Sequence, residues 1–115
     1  MPALALEEQH LNDGVHIIGL RGELDLAGAR IFEPVVMHAA RRDRVVLLDC
    51  RDLTFIDSTG MGVILSALRL LGRHGGSLAI ACDNPTVLRL FAITRMDQTI
   101  PIAPTLDGAL ERLAA

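Results

Sequence analysis

The chain contains no lysine, no tryptophan and no tyrosine, and its three aromatic residues are all phenylalanine. Without lysine there is no Schiff-base amine, no phosphate-loop lysine and no lysine to complete a phospho-receiver aspartate site. So few aromatic faces leave almost nothing for nucleic-acid bases to stack on. The eleven basic residues are scattered arginines and the net charge is −3, so direct nucleic-acid binding is not expected. No apolar run approaches the roughly 20 residues that span a bilayer. The opening residues, Met1 to Glu8, lack a basic segment followed by a long apolar one. Neither membrane insertion nor a secretory signal is expected.

Cysteine is scarce as well. Cys50 and Cys82 fall at the ends of two predicted strands, outside any Cys-x-x-Cys pair. Buried free thiols and a cytoplasmic location are the expectation. His10, His16, His38 and His74 stand isolated along the sequence and offer a cysteine pair no further ligands, so no metal and no cofactor is expected.

What is present is aliphatic: half of the 115 residues are apolar. That suffices for one domain over residues 1–115, with one core and no disulfide or metal staple. Two apolar segments, Leu4 to Leu11 and Val15 to Leu20, flank Asn12-Asp13-Gly14, a hairpin signal. Arg21-Gly22-Glu23 closes the second strand. Ala29, Phe32, Val36 and Ala39 to Ala40 fit a helix over 27–42, with Pro34 inside it. A proline there costs roughly 3 kcal/mol, so the helix either kinks or becomes regular only near Glu33.

Further along, Val45 to Cys50 is a continuous apolar run of the kind a strand covered on both faces requires. A helix follows over about 58–73, ending before Gly75-Gly76, with Met61, Ile64, Leu65, Leu68 and Leu71 on one face. A fourth strand spans 77–82. Asn84-Pro85 starts a third helix through Val87, Leu88 and Phe91. Gln98 to Ala103 is a last strand that Pro101 demotes to an edge, and Thr105 caps a terminal helix. The order ββαβαβαβα implies an α/β fold with a mixed, mostly parallel β-sheet packed with helices. Functional loops of such sheets lie beyond the carboxyl ends of the strands.

The pentapeptide Asp57-Ser58-Thr59-Gly60-Met61 falls in such a place, between the third strand and the second helix. A carboxylate and a hydroxyl thus meet a helix N-terminus with unpaired N–H groups, a position that favours added negative charge. The plain alternatives are capping by Ser58 or Asp57, and glycines that serve only helix–sheet packing.

The segments Gly22-Glu23-Leu24-Asp25, Leu53 to Gly62 and Val87-Leu88-Arg89-Leu90-Phe91 closely resemble STAS domains, in particular bacterial anti-sigma factor antagonists. The resemblance covers nearly the whole chain in order and spacing. Its specific part is Asp-Ser-Thr-Gly-Met-Gly after an apolar strand. It implies a non-enzymatic, monomeric switch in which Ser58 is phosphorylated by a partner kinase that is itself the anti-sigma factor. The unphosphorylated form binds that kinase and frees a sigma factor, and a separate phosphatase reverses the modification. Carried over, Asp25, Asp57, Ser58, Thr59, Gly60, Met61 and Gly62 form the partner-binding face. Gly60 and Gly62, lacking side chains, are expected to let the kinase backbone come close. Thr59 adds a second hydroxyl beside the acceptor.

The same fold also serves as a docking subunit in lipid-transport or stressosome-type assemblies, and nothing in the residues excludes that alternative. A nucleotide-binding enzyme is disfavoured, because Thr59-Gly60-Met61-Gly62 lacks the Gly-x-Gly-x-x-Gly spacing. Hydrolysis is disfavoured too, since no histidine lies near Ser58 in sequence.

Overall fold

In the computed structural model, which describes residues 3–11 and 14–114, all five strands join one sheet in the order β1-β2-β3-β4-β5. Strands β1 (Leu4–Leu11) and β2 (Val15–Leu24) are antiparallel. Strands β3 (Val45–Ile56), β4 (Ser77–Ala81) and β5 (Ile102–Ala103) continue the sheet in parallel from β2. The expected hairpin is present and its Gly14 has φ +77°, while Asn12 and Asp13 lie outside the described residues.

Two strands run further than their apolar stretches suggest. β2 continues to Leu24 and β3 to Ile56, pairing with each other through two register irregularities. Gly22, at φ +106°, makes this possible, because a Cβ there would run into the carbonyl of Ala3. The amino half of β3 is buried on consecutive residues, Val46, Leu47 and Leu48. Beyond Asp49 it has lost its β4 neighbour, and only Leu53 and Ile56 point fully inward. Polar Arg51, Asp52 and Thr54 therefore fit a strand there, with the Arg51 guanidinium clasping Asp49 at 2.8 and 2.9 Å. That bond holds the Asp49 carboxyl below the usual carboxylate range.

Helices α1 (Leu26–Arg42), α2 (Ser58–Gly72) and α3 (Pro85–Ile93) bury one face of the sheet in the main core. Helix α5 (Leu106–Ala114) covers Ile17, Leu47, Ala79 and Ala103 on the other face. Phe32, Val36, Ala39 and Ala40 of α1 are inward as expected. Helix α1 runs unbroken through Pro34, which sits on its exposed side, where water can satisfy the carbonyl of Arg30 left without its N–H partner. The inner face of α2 is Gly60, Met61, Val63, Ile64, Ala67 and Leu71, so Leu65 and Leu68 are only half-buried.

The expected strand from Gln98 shrinks to Ile102–Ala103. In its place a one-turn helix, α4 (Met96–Thr99), follows Arg95 at φ +62°. Met96 and Ile100, four residues apart and joined by a 2.8 Å backbone bond, both enter the main core. A helical turn aims both side chains inward, which a strand could not. β5 is an edge strand, as Pro101 requires.

Candidate functional site

Beyond the carboxyl ends of β2 and β3 two helices begin side by side, and each begins the same way. Asp25 caps α1 by accepting the Gly28 N–H at 2.9 Å, and Asp57 caps α2 by accepting the Gly60 N–H at 3.1 Å. Both caps are extended, at φ −97° and −110°, as capping residues are. The sequence reason is an Asp-x-x-Gly spacing used twice, at 25–28 and 57–60. A Cβ on Gly28 would stand 2.5 Å from the Glu23 carbonyl, and one on Gly60 would stand 2.7 Å from that of Leu24. The Leu24 carbonyl also accepts the Asp57 N–H at 3.3 Å. One backbone segment, 22–25, therefore seats both helix starts.

Ser58 and Thr59 are the first two residues of α2, and both are exposed. Their N–H groups are among those with no acceptor inside the helix. The N-cap is Asp57, not Ser58. Ser58 Oγ makes no hydrogen bond among the described residues, so its hydroxyl is free for chemistry from outside. Gly62 is exposed, with nothing within 4 Å of a Cβ built on it.

Gly60 and Met61 face the other way and are buried. The expectation that Gly60 and Gly62 together admit an approaching backbone is thus corrected for Gly60, whose open side is filled by Leu24 and Ile56. Asp25 and Asp57 are half-buried in their capping roles.

Two features of this end escape a reading of the sequence. Asn84, the cap of α3, accepts the Thr86 N–H at 2.9 Å and also donates its Nδ2 to the Leu53 carbonyl at 3.0 Å. It ties a third helix start to the irregular end of β3. Large apolar side chains also stand open beside the helix starts: Leu26, the first residue of α1, is 55% exposed and Phe55 is 39% exposed. The doubled Asp-x-x-Gly was the available signal for the paired helix starts. No pattern signals the Asn84 bridge, which spans 31 residues.

The arrangement is a flat platform. Two carboxylates, both committed to helix caps, flank a free hydroxyl at a helix N-terminus, with apolar side chains beside it. Among the described residues no histidine side chain bonds to Ser58, so the platform is built to be modified and docked.

A STAS domain model matches residues 8–109. An anti-sigma F factor antagonist of Paenibacillus polymyxa is 33% identical over 112 residues, covering 96% of this chain and 95% of that protein. The structure of an anti-sigma factor antagonist from Mycobacterium paratuberculosis superposes with a TM-score of 0.86 at 24% identity, covering 97% and 95% of the two chains. SpoIIAA, an anti-sigma factor antagonist, superposes at 0.81 in its unphosphorylated form, with 23% identity and 96% of each chain covered. Its phosphorylated form, from Bacillus, superposes at 0.72 with 22% identity, covering 95% of this chain and 99% of that one.

Proposed function

The chain belongs to the STAS domain family, and on that footing we propose that it is an anti-sigma factor antagonist switched by phosphorylation of Ser58. With Ser58 unmodified, it binds an anti-sigma factor that is also a serine kinase and so frees a sigma factor. Phosphorylation ends that binding, and a phosphatase acting on phospho-Ser58 restores it. The observation that carries this reading is the free, exposed Ser58 hydroxyl at the first position of α2, between two capping carboxylates. Asp25, Asp57, Thr59 and Gly62 complete the docking face, while Gly60 and Met61 hold its floor from beneath. The chain acts by binding, as a monomer in the cytoplasm. Among the described residues no helix is long and apolar enough to cross a membrane.

The energetics favour a switch that acts on docking. A phosphate adds about −1.5 to −2 charges. The helix N-terminus stabilises an anion by about 0.3–1 kcal/mol, up to about 2. A carboxylate about 6 Å away opposes it by roughly 3 kcal/mol per unit charge at an effective dielectric of about 20, before salt screening. The terms nearly cancel, and no internal hydrogen bond of Ser58 is broken, so the domain stays folded. Under a docked partner the same phosphate is desolvated, and a loss of a few kcal/mol there weakens binding by orders of magnitude.

The test pairs a phosphosite map of the protein from its native cells with calorimetry on variants. Ser58→Ala binds the cognate anti-sigma factor and resists phosphorylation, whereas Ser58→Asp folds and binds poorly. Parental affinity in Ser58→Asp, together with an unmodified Ser58 in cells, would overturn the proposal.

A further inference from the structure

The far end of the parallel strands carries a second cluster that the switch does not use. We propose that His10, His16 and Asp43 form a divalent transition-metal site, with Glu8 as the group that orients His16. His10 and His16 are direct cross-strand partners in the hairpin, and Asp43 is the C-cap of α1, its N–H bonded to the Ala39 carbonyl at 2.9 Å. One ligand atom from each lies within 4.8 Å of the others. The histidines that stand apart along the sequence thus converge in the fold, which corrects the expectation that they offer a metal nothing.

His16 is the informative member, only 2% exposed. Its Nε2 is 2.8 Å from Glu8 Oε1 and its Nδ1 is 3.0 Å from Asp43 Oδ2. A neutral imidazole has one proton. With that proton on Nε2, donated to Glu8, the Nδ1 lone pair faces an Asp43 oxygen that is itself only an acceptor. Something positive has to stand between them, either a second proton or a cation. Donor atoms around a tetrahedral zinc ion, bound at about 2.0–2.2 Å, lie about 3.4 Å apart. The His16–Asp43 pair is already near that spacing.

His10 is exposed and its ring centre is 3.9 Å from that of His16, inclined at 47°. It can turn in to supply the third ligand. Glu8 then plays the part of the outer carboxylate that fixes the tautomer of a metal-bound histidine. The fourth position opens on the cavity lined by His38 and Arg42. Two imidazoles and one carboxylate suit Zn²⁺ and its neighbours, whereas Ca²⁺ and Mg²⁺ prefer oxygen alone.

The cluster is separate from the Ser58 platform. His16 pairs with Val46 at the start of β3, and eight residues of β2, about 26 Å at 3.3 Å each, separate it from Leu24. An ion there fastens the β1–β2 hairpin to the end of α1.

The experiment uses the full chain without an affinity tag, titrated with Zn²⁺ in a calorimeter and with Co²⁺ under visible absorption. The expected result is one Zn²⁺ per chain, and Co²⁺ bands of tetrahedral intensity that Zn²⁺ displaces. His10→Ala, an exposed change that leaves the core intact, weakens affinity at least about tenfold. Glu8→Gln weakens it about 10–100-fold. His74→Ala, whose imidazole bonds to the Ala40 carbonyl elsewhere, leaves it unchanged. No saturable binding at 0.1 mM-order Zn²⁺ (about 100 µM, far above the affinity of a built three-ligand site), or equal affinity in parent and His10→Ala, would overturn the proposal. So would an equal loss in His74→Ala.

Discussion

Two glycines of one helix, two residues apart, should respond to the same methyl group in opposite directions. At Gly60 a Cβ meets Leu24 Cγ at 2.6 Å, the Leu24 carbonyl at 2.7 Å and Ile56 Cγ1 at 3.1 Å. Leu24 is fully buried and its carbonyl is already held by the Asp57 N–H, so neither obstacle can give way cheaply. Overpacking of this kind costs about 1–3 kcal/mol. Shifting the first turn of α2 also strains the Asp57–Gly60 cap, worth about 1 kcal/mol. Against these stands a helix-propensity gain of about 1 kcal/mol for alanine over glycine.

The net for Gly60→Ala is a loss of about 2 kcal/mol. At Gly62 nothing lies within 4 Å, so Gly62→Ala keeps only the propensity gain, about 0.5–1 kcal/mol. With an m-value of about 2 kcal/mol per molar, the urea midpoints move by about −1 M and about +0.3 to +0.5 M. The functional arm separates stability from docking: the methyl at Gly62 stands on the open platform, so affinity for the anti-sigma factor falls while stability rises. An unchanged midpoint for Gly60→Ala, or a lowered one for Gly62→Ala, would refute the packing argument. Parental affinity in Gly62→Ala would remove that residue from the docking face.

Asp57→Asn and Asp57→Ala separate the two duties of the carboxylate. Asparagine still caps, so the denaturation midpoint of Asp57→Asn stays near the parent's while Asp57→Ala loses about 1 kcal/mol; both reduce anti-sigma affinity if the charge belongs to the docking face, as calorimetry would show. Alkaline stability follows from the buried thiols. Burial pushes the Cys50 thiol well above its ordinary value and also raises Cys82. Unfolded thiols lose their protons near pH 8.5 while the native ones keep theirs. Stability is therefore whole below that pH and falls above it, by about 1.4 kcal/mol per pH unit per thiol. With no lysine or tyrosine to titrate in the same range, urea midpoints between pH 7.5 and 10.5 isolate this effect (both pH limits about one to two units from the thiol value). A Cys50→Ala, Cys82→Ala double variant should lose the slope, and a slope that survived would assign it elsewhere.

What the sequence reveals and what it hides divide along a physical line. Continuous apolar runs identify β3 and β4, and period-3.6 patterns identify α1, α2 and α3, because two-sided and one-sided burial leave different signatures. The chain hides what depends on a partner far along it. The outer half of β3, from Arg51 to Ile56, looks like a loop because only β2 pairs with it there. The turn of α4 looks like strand because Met96 and Ile100 acquire a shared direction only once the core exists. At the site, Ser58 and Asp57 are legible by their place before an apolar helix. The split between open Gly62 and filled Gly60 is not, because Leu24, 36 positions earlier, does the filling. The histidine cluster is hidden for the same reason, since Asp43 bonds to His16 across 27 residues.

The doubled Asp-x-x-Gly start explains why the switch can sit on a helix terminus without endangering the fold. A helix N-terminus needs its orphan N–H groups satisfied. Had Ser58 been the cap, a phosphate there would have altered the bond that starts α2, and modification would have been coupled to unfolding. Here Asp57 caps α2 through Gly60, and Asp25 independently caps the neighbouring α1 through Gly28. The Ser58 hydroxyl is left without a structural task, one position inside the helix, where the first N–H groups still favour an anion. The structural carboxylates meanwhile make the surroundings negative enough that added charge is felt by whatever docks. Stability is carried by the caps and the glycines beneath them, and regulation by the hydroxyl between them. It follows that Ser58→Ala and Ser58→Asp should unfold at nearly the same urea concentration, however far apart their affinities for the anti-sigma factor lie.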